Sequence, residues 1–283
     1  MNIKAVKHVN KIKVKNTALS RMQDRVVVEA PLQIELIFID CLRNVVIESI
    51  ASYAIMMRTP GDDQVLIIGL LYGQGVIKSI DDVIEICRDE HEDSKENHWL
   101  VSLKSDCLSR AKSSQSTHTS YSSCGICGTS FIKALEIKGS HAVDNDTHWL
   151  SINTIHRMVS GLSSRQDIFS QTGGTHCAAL FNQEGKPIAL YEDIGRHNAL
   201  DKLLGSRQTF NNAHGKDVVV LSSRISYEMV QKVIVSGISV LIAIGAPSVL
   251  AIQAAQRFNI TVIAFARDNS FSIYHGESRL TDK

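Results

Sequence analysis

The last third of the chain alternates short apolar runs with amphipathic stretches, and this alternation constrains the fold more than any other feature. The apolar runs at residues 217–223, 238–245 and 260–267 predict strands, and the two segments between them have helical periodicity. Two successive strand–helix–strand crossovers require a parallel sheet with helices packed against it. The sequence therefore predicts an α/β fold for this region.

The loops that follow these strands form a candidate ligand site. Ligands of open parallel sheets bind beyond the carboxyl ends of the strands, where loops and helix N-termini converge. The loops here are residues 222–224, 245–248 and 267–269, which include Ser223, Arg224 and Arg267. Hydroxyl groups, a glycine and two guanidinium groups suit an anion or a nucleotide. Ordinary helix caps and turns are the alternative interpretation.

The first hundred residues predict strands and one helix. Alternating apolar residues predict strands at residues 26–31, 32–40 and 44–50, with one face of the second formed by Leu32, Ile34, Leu36 and Phe38. A helix follows, for which Thr59 is the predicted cap and Gly73 or Gly75 the predicted end.

The middle of the chain begins with a polar segment. Residues 104–123 are rich in Ser, Thr and Lys, so they predict a mobile loop or linker and the most natural internal boundary. After it we predict a helix ending near Gly161, two strands joined at Glu184–Gly185, and a helix that begins at Arg196.

Composition excludes several classes of function. The chain has 283 residues, with 30 Lys and Arg against 29 Asp and Glu, so it lacks the basic field that binding to a nucleic acid duplex demands. No apolar run is long enough to span a membrane, and we expect a cytoplasmic protein. Six cysteines are too few for a disulfide scaffold in a chain of this length. We predict that Cys41, Cys87 and Cys107 are packing residues.

The segment "SSCGICGTSF" places Cys124 and Cys127 at Cys-x-x-Cys spacing, with a glycine after each. A structural zinc site needs four ligands, and the sequence has no second such pair; His176 and Cys177 are the remaining candidates, although adjacent residues make an awkward ligand pair, so zinc is the less favoured alternative. A deaminase-type zinc site is disfavoured, because "HCA" lacks the required glutamate and the order of the motifs is reversed. A redox dithiol and a persulfide-carrying thiol both fit the residues, and spacing does not decide between them.

A dense polar run lies at the start of the predicted helix at Arg196. As a structural feature, Asp193 caps the helix and the opposite charges pair; as a functional one, Arg196 and His197 bind a phosphate or lower the pKa of a thiol. His176, behind a glycine pair, is a further candidate for ligand contact, and Cys177 is predicted to be a small core residue. The run comprises Glu192, Asp193, Arg196, His197, Asn198, Asp201 and Lys202.

Five segments carry a resemblance that no single motif carries alone. They are "MRTPGDDQVLIIGLLYGQGVI", "SSCGICG", "QTGGTHCAALFNQEGKPIALYEDIGRHNALDKLLG", "SSRISYEMVQKVIVSGISVLIAIGAPSVLAIQAAQ" and "ITVIAFARDNSFSIYHGESRL". In this order they resemble the formate dehydrogenase accessory sulfurtransferase family, FdhD. The resemblance covers nearly everything outside the basic N-terminal arm, residues 1–21, and the acidic stretch near Glu90.

The resemblance implies a sulfur carrier that accepts persulfide sulfur from a cysteine desulfurase. It implies delivery to the bis-molybdopterin guanine dinucleotide form of the molybdenum cofactor, bound as a substrate, and this sulfuration activates formate dehydrogenase. Cys124 corresponds to the persulfide cysteine and Cys127 to its companion in the loop. The cofactor contacts that the resemblance implies are Phe265, Ala266, Arg267, Asp268, Asn269 and Ser270.

The fold that goes with the resemblance is cytidine-deaminase-like, with a smaller N-terminal α/β subdomain, in a homodimer. We assign residues 1–113 to the arm and this subdomain, and residues 114–283 to the cysteine loop and the deaminase-like part. We add Arg196, His197, Ser223 and Arg224 to the cofactor-binding candidates, and we expect no permanently bound metal, nucleic acid or membrane partner. A chaperone that holds the cofactor without transferring sulfur, and a zinc-dependent hydrolase, are the alternatives.

Overall fold

The computed structural model describes residues 5–89, 97–118, 142–143, 146–209 and 216–282. Cys124 and Cys127 lie outside these residues. The elements up to residue 118 are β1 (Val6–Lys15), β2 (Ala18–Val27), β3 (Ala30–Asp40), β4 (Val45–Arg58), α1 (Asp63–Gly73), β5 (Val83–Arg88), β6 (His98–Lys104) and α2 (Cys107–His118). The later elements are β7 (Leu150–Ser151), α3 (Ile152–Ser160), α4 (Asp167–Thr172), β8 (His176–Phe181), β9 (Pro187–Asp193), α5 (Arg196–Thr209), β10 (Val218–Leu221), α6 (Tyr227–Val235), β11 (Val240–Ala243), α7 (Val249–Arg257), β12 (Thr261–Arg267), β13 (Ser270–His275) and β14 (Leu280–Thr281).

The basic N-terminal arm is a two-stranded antiparallel hairpin of β1 and β2. The predicted single strand at residues 26–31 is wrong, because Val26 and Val27 end β2 whereas Ala30 begins β3. Between them the backbone N–H of Val28 donates to the carbonyl oxygen of Ala5, at 2.8 Å, which closes the base of the hairpin. The apolar run therefore contributes to two strands rather than to one.

A four-stranded sheet in the order β4-β3-β6-β5 follows the hairpin. The predicted face of β3 is confirmed: its alternating apolar side chains are fully buried. They pack in one core with α1, which is apolar on nearly all sides and is buried accordingly. The N-terminal cap of α1 is Asp62 rather than Thr59, which instead bonds to Asp193 at the end of β9 and to Ile194 after it.

Helix α2 occupies much of the segment that predicted a mobile linker, and that prediction is wrong for residues 107–118. Cys107, Ala111 and Ser114 are buried at spacings of four and three residues, which is one face of a helix. Small side chains form this face, so a pattern based on large apolar residues does not reveal it. The assigned boundary between residues 113 and 114 falls inside this helix.

The C-terminal half contains a six-stranded sheet in the order β13-β12-β11-β10-β8-β9. Strands β10, β11 and β12 are parallel neighbours, as predicted. Strands β8 and β13 pair antiparallel on either side of this parallel centre, and β9 pairs antiparallel with β8. Helices α5, α6 and α7 pack on one face and α3 on the other, so the central strands are buried on both faces.

Helix α1 packs against α5 and joins the two sheets into one structure. A Cβ atom at Gly69 would overlap the carbonyl group of Asp201, and one at Gly205 would overlap the carbonyl group of Val65. Two glycines facing opposite backbones therefore allow the helices to approach more closely than any side chain permits. None of the described helices is long and apolar enough to cross a membrane.

Replacement of either contact glycine by alanine is expected to destabilise the protein. Gly69→Ala and Gly205→Ala should each lower the free energy of unfolding by about 2–3 kcal/mol, because the added methyl group forces the helix backbones apart. Chemical denaturation measures the change. Gly161→Ala is the control, with a smaller expected loss, since this glycine has φ −75° and its added Cβ lies 3.2 Å from the carbonyl oxygen of Arg157, a tight contact but not an overlap. Equal stability of all three variants would contradict the close helix contact.

Candidate functional site

The loops after β10, β11 and β12 meet at one edge of the sheet, as predicted. The backbone N–H of Gly245 donates to the carbonyl oxygen of Ser223 at 3.1 Å, and Ile225 forms a bridge with Pro247. A Cβ at Gly245 would lie 2.7 Å from the backbone nitrogen of Arg224. Glycine is therefore required where these two loops cross.

A cavity of about 740 Å³ opens beside these loops. One wall is the turn between β12 and β13, residues 266–270, which includes five of the cofactor contacts that the resemblance implies. The opposite wall is the glycine turn and the start of β8, residues 173–176. Ser222 and Ile244 lie between the two walls. The cavity thus brings the β12–β13 turn and His176 together.

The cavity also has an apolar and amide wall that the sequence interpretation missed. Val159, Leu162, Gln166 and Phe169 contribute to this wall from α3, α4 and the segment between them. The sequence predicted the helix that ends near Gly161, but nothing in its pattern indicated that it borders a cavity. The nearby glycine pair was the one available signal.

Arg267 is the cation of the β12–β13 wall. Its Nη1 donates to the carbonyl oxygens of Ile244 and Ala266, at 2.7 and 2.8 Å. These two bonds fix the guanidinium group across the ends of β11 and β12. The remaining N–H groups of an arginine held in this way are available to an anionic ligand.

Phe265 does not line the cavity, unlike the five residues that follow it. The ladder between β12 and β13 is irregular between Ala264 and Arg267, and Phe265 has a positive φ of 52°. The residue is 44% exposed, and its ring lies near that of Tyr274, with ring centroids 6.4 Å apart. A positive φ is costly for a bulky residue, and such backbone strain clusters at functional sites.

His176 connects the cavity with the arginines at the start of α5 and after β10. Burial lowers the pKa of its imidazole, and the positive charges of Arg196 and Arg224 lower it further. The ring is therefore neutral at pH 7, so one ring nitrogen donates a hydrogen bond and the other accepts one. Arg196 and Arg224 lie close enough to act on His176, although neither lines the cavity.

The other predicted site residues lie around this cluster and outside the cavity. His197 Nε2 is 3.2 Å from Glu228 Oε2, and burial lowers the pKa of His197 although Glu228 opposes the shift. Arg196 Nε is buried without a hydrogen-bond partner among the described residues. Ser223 is buried, and its hydroxyl donates to the carbonyl oxygen of Arg224.

Most of the polar run is structural. Asp193 and Lys202 form a buried ion pair at 2.8 Å, and the backbone N–H of Thr59 donates to Asp193 at 3.0 Å. Asp201 pairs with Lys232 on α6, also at 2.8 Å and buried. These contacts hold α5 in place and leave Arg196 and His197 as the residues of the run that border the site.

Glu192 does not line the cavity but bonds to two segments of its wall. Its carboxylate accepts hydrogen bonds from the backbone N–H groups of Ile168 and Phe169, each at 2.8 Å, in the first turn of α4. The hydroxyl of Thr175 donates to the same carboxylate, also at 2.8 Å. One buried side chain therefore fixes both α4 and the glycine turn before His176.

The described cysteines differ in exposure. Cys177 is buried in the core, and burial raises the pKa of its thiol to about 12, so it is a poor nucleophile. Burial likewise raises the pKa of Cys107 to about 11. The packing role predicted for Cys41 is wrong, because this residue is exposed in the turn between β3 and β4. Within the described ranges, no group of three or more His, Cys, Asp or Glu residues is arranged to hold a metal ion.

Comparisons with known proteins agree on one family. The model of the FdhD/NarQ family matches residues 42–281. "Sulfur carrier protein FdhD" of Sulfurisphaera tokodaii is 34% identical, with 97% of this chain and 99% of the relative covered. The protein of the same description from Picrophilus torridus is 36% identical, with 91% and 92% covered.

The fold is similar to that of a solved structure. It is the crystal structure of a protein from Desulfotalea psychrophila that carries the assignment of formate dehydrogenase accessory protein. The TM-score is 0.69 at 23% identity, with 98% of this chain and all of that chain covered. This similarity concerns the fold and extends over both sheets.

The pKa of His176 tests the electrostatics of the site. Because Arg196 lowers this pKa, Arg196→Gln should raise it toward the value of an exposed histidine, and the pH at which the ring becomes charged should rise. NMR titration of the imidazole resonance measures the shift. Arg267→Gln is the matched control, because Arg267 does not contribute to the shift. A larger rise in the control than in Arg196→Gln would contradict the arrangement.

Proposed function

Because the chain belongs to the FdhD/NarQ family, we propose that it carries sulfur for the activation of a formate dehydrogenase. In this proposal Cys124 accepts persulfide sulfur from a cysteine desulfurase, and the acceptor is the bis-molybdopterin guanine dinucleotide molybdenum cofactor. The curated relatives described as sulfur carriers support the first part, since they match nearly the whole chain. The Desulfotalea psychrophila neighbour supports a connection with formate dehydrogenase.

The sulfur transfer needs only thiol chemistry. The thiolate of Cys124 attacks the outer sulfur of the donor persulfide, a new S–S bond forms on Cys124, and the donor cysteine leaves as a thiolate. Attack by the thiolate of Cys127 on the inner sulfur then forms a Cys124–Cys127 disulfide and releases hydrosulfide. A cellular thiol reductant returns the disulfide to two thiols. Among the described cysteines, Cys107 and Cys177 are unsuited to this chemistry because burial raises the pKa of each.

The cavity beside the β12–β13 turn is the proposed binding site of the cofactor. The observation that carries this proposal is that residues 266–270 line a cavity of about 740 Å³ together with His176. Cavities of about 300–1,000 Å³ hold drug-sized ligands, so this one has room for one guanine nucleotide part of the cofactor and not for the whole of it. Arg267 supplies a cation, Asn269 and Ser270 supply polar groups, and Arg196 and Arg224 add positive charge near His176. Phosphate groups are recognised by this kind of donor set.

The proposal extends to the fold family and the assembly. We propose a cytidine-deaminase-like fold for the part that contains β8–β13, supported by its mixed sheet with helices on both faces. The same proposal includes three further predictions from the sequence. They are the division of the chain into two parts, a homodimer and a cytoplasmic location. Ser223 and His197 are then residues that support the site from outside the cavity.

Mass spectrometry of the protein after incubation with a cysteine desulfurase and cysteine tests the function. We expect one added sulfur atom on the peptide that contains Cys124, and loss of this addition in Cys124→Ala. Cys41→Ala is the matched control, because Cys41 is exposed and should leave the labelling unchanged. Cys124→Ala should also fail to restore formate dehydrogenase activity in cells that lack the wild-type chain. Restored activity in that variant would overturn the proposal.

A further inference from the structure

The β1–β2 hairpin projects from the rest of the protein. Its base is held by the bond between Val28 and Ala5 and by contacts of β2 with α4, among them the 3.3 Å bond from Arg25 to Gln171. Beyond this base, every residue from 11 to 23 is exposed. We call residues 11–22 the hairpin tip. It consists of five residue pairs and the turn that joins them, and its strands extend about 17 Å.

The hairpin tip has an apolar face and a lysine face. Successive side chains of a strand point to opposite faces, and residues directly opposite each other share a face. One face of the tip is therefore aliphatic apart from one arginine, while the other carries three lysines. The apolar face comprises Ile12, Val14, Leu19 and Arg21, and the lysine face comprises Lys11, Lys13 and Lys15 with Ala18, Ser20 and Met22.

No described part of the chain covers the apolar face. Ile12, Val14 and Leu19 are 60%, 62% and 74% exposed. Water around three adjacent large aliphatic side chains is unfavourable, and a two-stranded hairpin without a covered face is marginally stable by itself. We therefore expect this face to contact a partner.

The positive charge of the hairpin tip is not compensated. The tip contains four basic residues and no acidic one. Asp24, just below the tip, pairs with Lys11 at 2.6 Å, whereas Lys13, Lys15 and Arg21 pair with no carboxylate among the described residues. The whole chain has a net charge of only +1, so this excess is local to the tip. A partner that matches it is anionic.

The composition of the tip selects among anionic partners. Protein interfaces are enriched in aromatic residues and depleted in lysine, but the tip has three lysines and no aromatic residue. Single-stranded nucleic acids bind by stacking on aromatic rings, and phosphate contacts with a duplex would leave the aliphatic face in water. A bilayer with anionic lipids suits both faces. Its acyl boundary accepts aliphatic side chains, and the long stems of the lysines reach the headgroups.

We propose that the hairpin tip attaches the protein to the surface of a bilayer that contains anionic lipids. The apolar face lies in the interface, with Val14 and Leu19 deepest because they are the last pair on this face before the turn at Asn16 and Thr17. The sequence interpretation expected no membrane partner because no apolar run is long enough to span a bilayer, and surface attachment needs no such run. This inference goes beyond the proposed sulfur transfer and does not depend on it.

Co-sedimentation of the full chain with lipid vesicles tests the attachment. We expect binding to vesicles made of equal parts of phosphatidylglycerol and phosphatidylcholine, and none to vesicles of phosphatidylcholine alone. A rise in NaCl from about 0.1 M to about 1 M should weaken binding at least about tenfold, because it shortens the Debye length from about 10 Å to about 3 Å.

Charge removal on the lysine face tests which surface binds. Lys11→Gln/Lys13→Gln/Lys15→Gln should bind the mixed vesicles about a hundredfold more weakly than the wild type, since each lysine near an anionic surface contributes about fivefold. These side chains are exposed, so the variant should fold normally.

A second triple variant provides the matched control. Lys78→Gln/Lys104→Gln/Lys186→Gln removes the same charge from exposed positions outside the hairpin. It should bind the mixed vesicles within about threefold of the wild type, because these lysines lie away from the attached surface.

Insertion of the apolar face is tested by fluorescence. In Leu19→Trp, the new indole should be quenched by mixed vesicles whose acyl chains carry bromine, whereas the fluorescence of the wild type should remain unchanged. Val14→Ser/Leu19→Ser should bind the mixed vesicles at least about tenfold more weakly, because it removes aliphatic surface from the interface.

Four results would overturn the proposal. The first is no binding to the mixed vesicles, and the second is equal binding by the two triple lysine variants. The third is an unquenched indole in Leu19→Trp. The fourth is a wild-type dimer in sedimentation velocity that dissociates in Val14→Ser/Leu19→Ser, since that result assigns the apolar face to a second copy of this chain.

Discussion

The buried ion pair between Asp193 and Lys202 determines how the two sheets are joined. Both side chains are almost completely shielded from solvent, and their charged atoms are 2.8 Å apart. Asp193 also accepts from the backbone N–H of Thr59, while Lys202 donates to the carbonyl oxygen of Thr59, each at 3.0 Å. The pair therefore binds both backbone groups of one residue in the loop before α1. A buried pair of this kind adds little net stability, but removal of one partner costs about 3–5 kcal/mol because it leaves a buried charge unpaired.

This junction positions the candidate site because α5 begins next to it. The N–H of Gly195 donates to Asp193 at 2.9 Å, which fixes the chain just before Arg196 and His197. Asn198 in the same turn donates to the carbonyl oxygen of Met57 at 2.8 Å, so the start of α5 is also tied to β4. Together with the glycine contacts between α1 and α5, these hydrogen bonds fix the position of α5 relative to α1 and β4. Arg196 consequently lies where its charge acts on His176, at the wall of the cavity.

Sequence reasoning succeeded where a periodic apolar pattern determines the structure. The parallel strands β10, β11 and β12 followed from two crossovers, and the meeting of their loops followed from the geometry of parallel sheets. Helix α2 was missed because its buried face consists of Cys107, Ala111 and Ser114, which are too small to produce an apolar pattern. The edge strand β13 was likewise not predicted, since a hairpin partner follows no crossover rule.

Polar residues were the hardest to interpret, since a one-dimensional pattern does not show which of them are buried. Glu192, Asp193 and Lys202 belong to a single run with Arg196 and His197, yet the first three are buried structural residues. Their partners, Thr59 and the first turn of α4, are distant in the sequence, so spacing contains no information about these contacts. The position of Phe265 outside the cavity was also not evident from the sequence. It results from the irregular pairing of β12 with β13 between Ala264 and Arg267, which no pattern in the sequence indicates.

A double-mutant cycle on Asp193→Asn and Lys202→Met tests most directly whether the ion pair organises the site. Chemical denaturation of the wild type, both single variants and the double variant gives the coupling free energy, and the His176 imidazole resonance reports on the site in each protein. We predict a coupling of about 2–3 kcal/mol, with the His176 resonance displaced in both single variants. Additive effects within about 0.5 kcal/mol, together with an unchanged His176 resonance, would contradict the account.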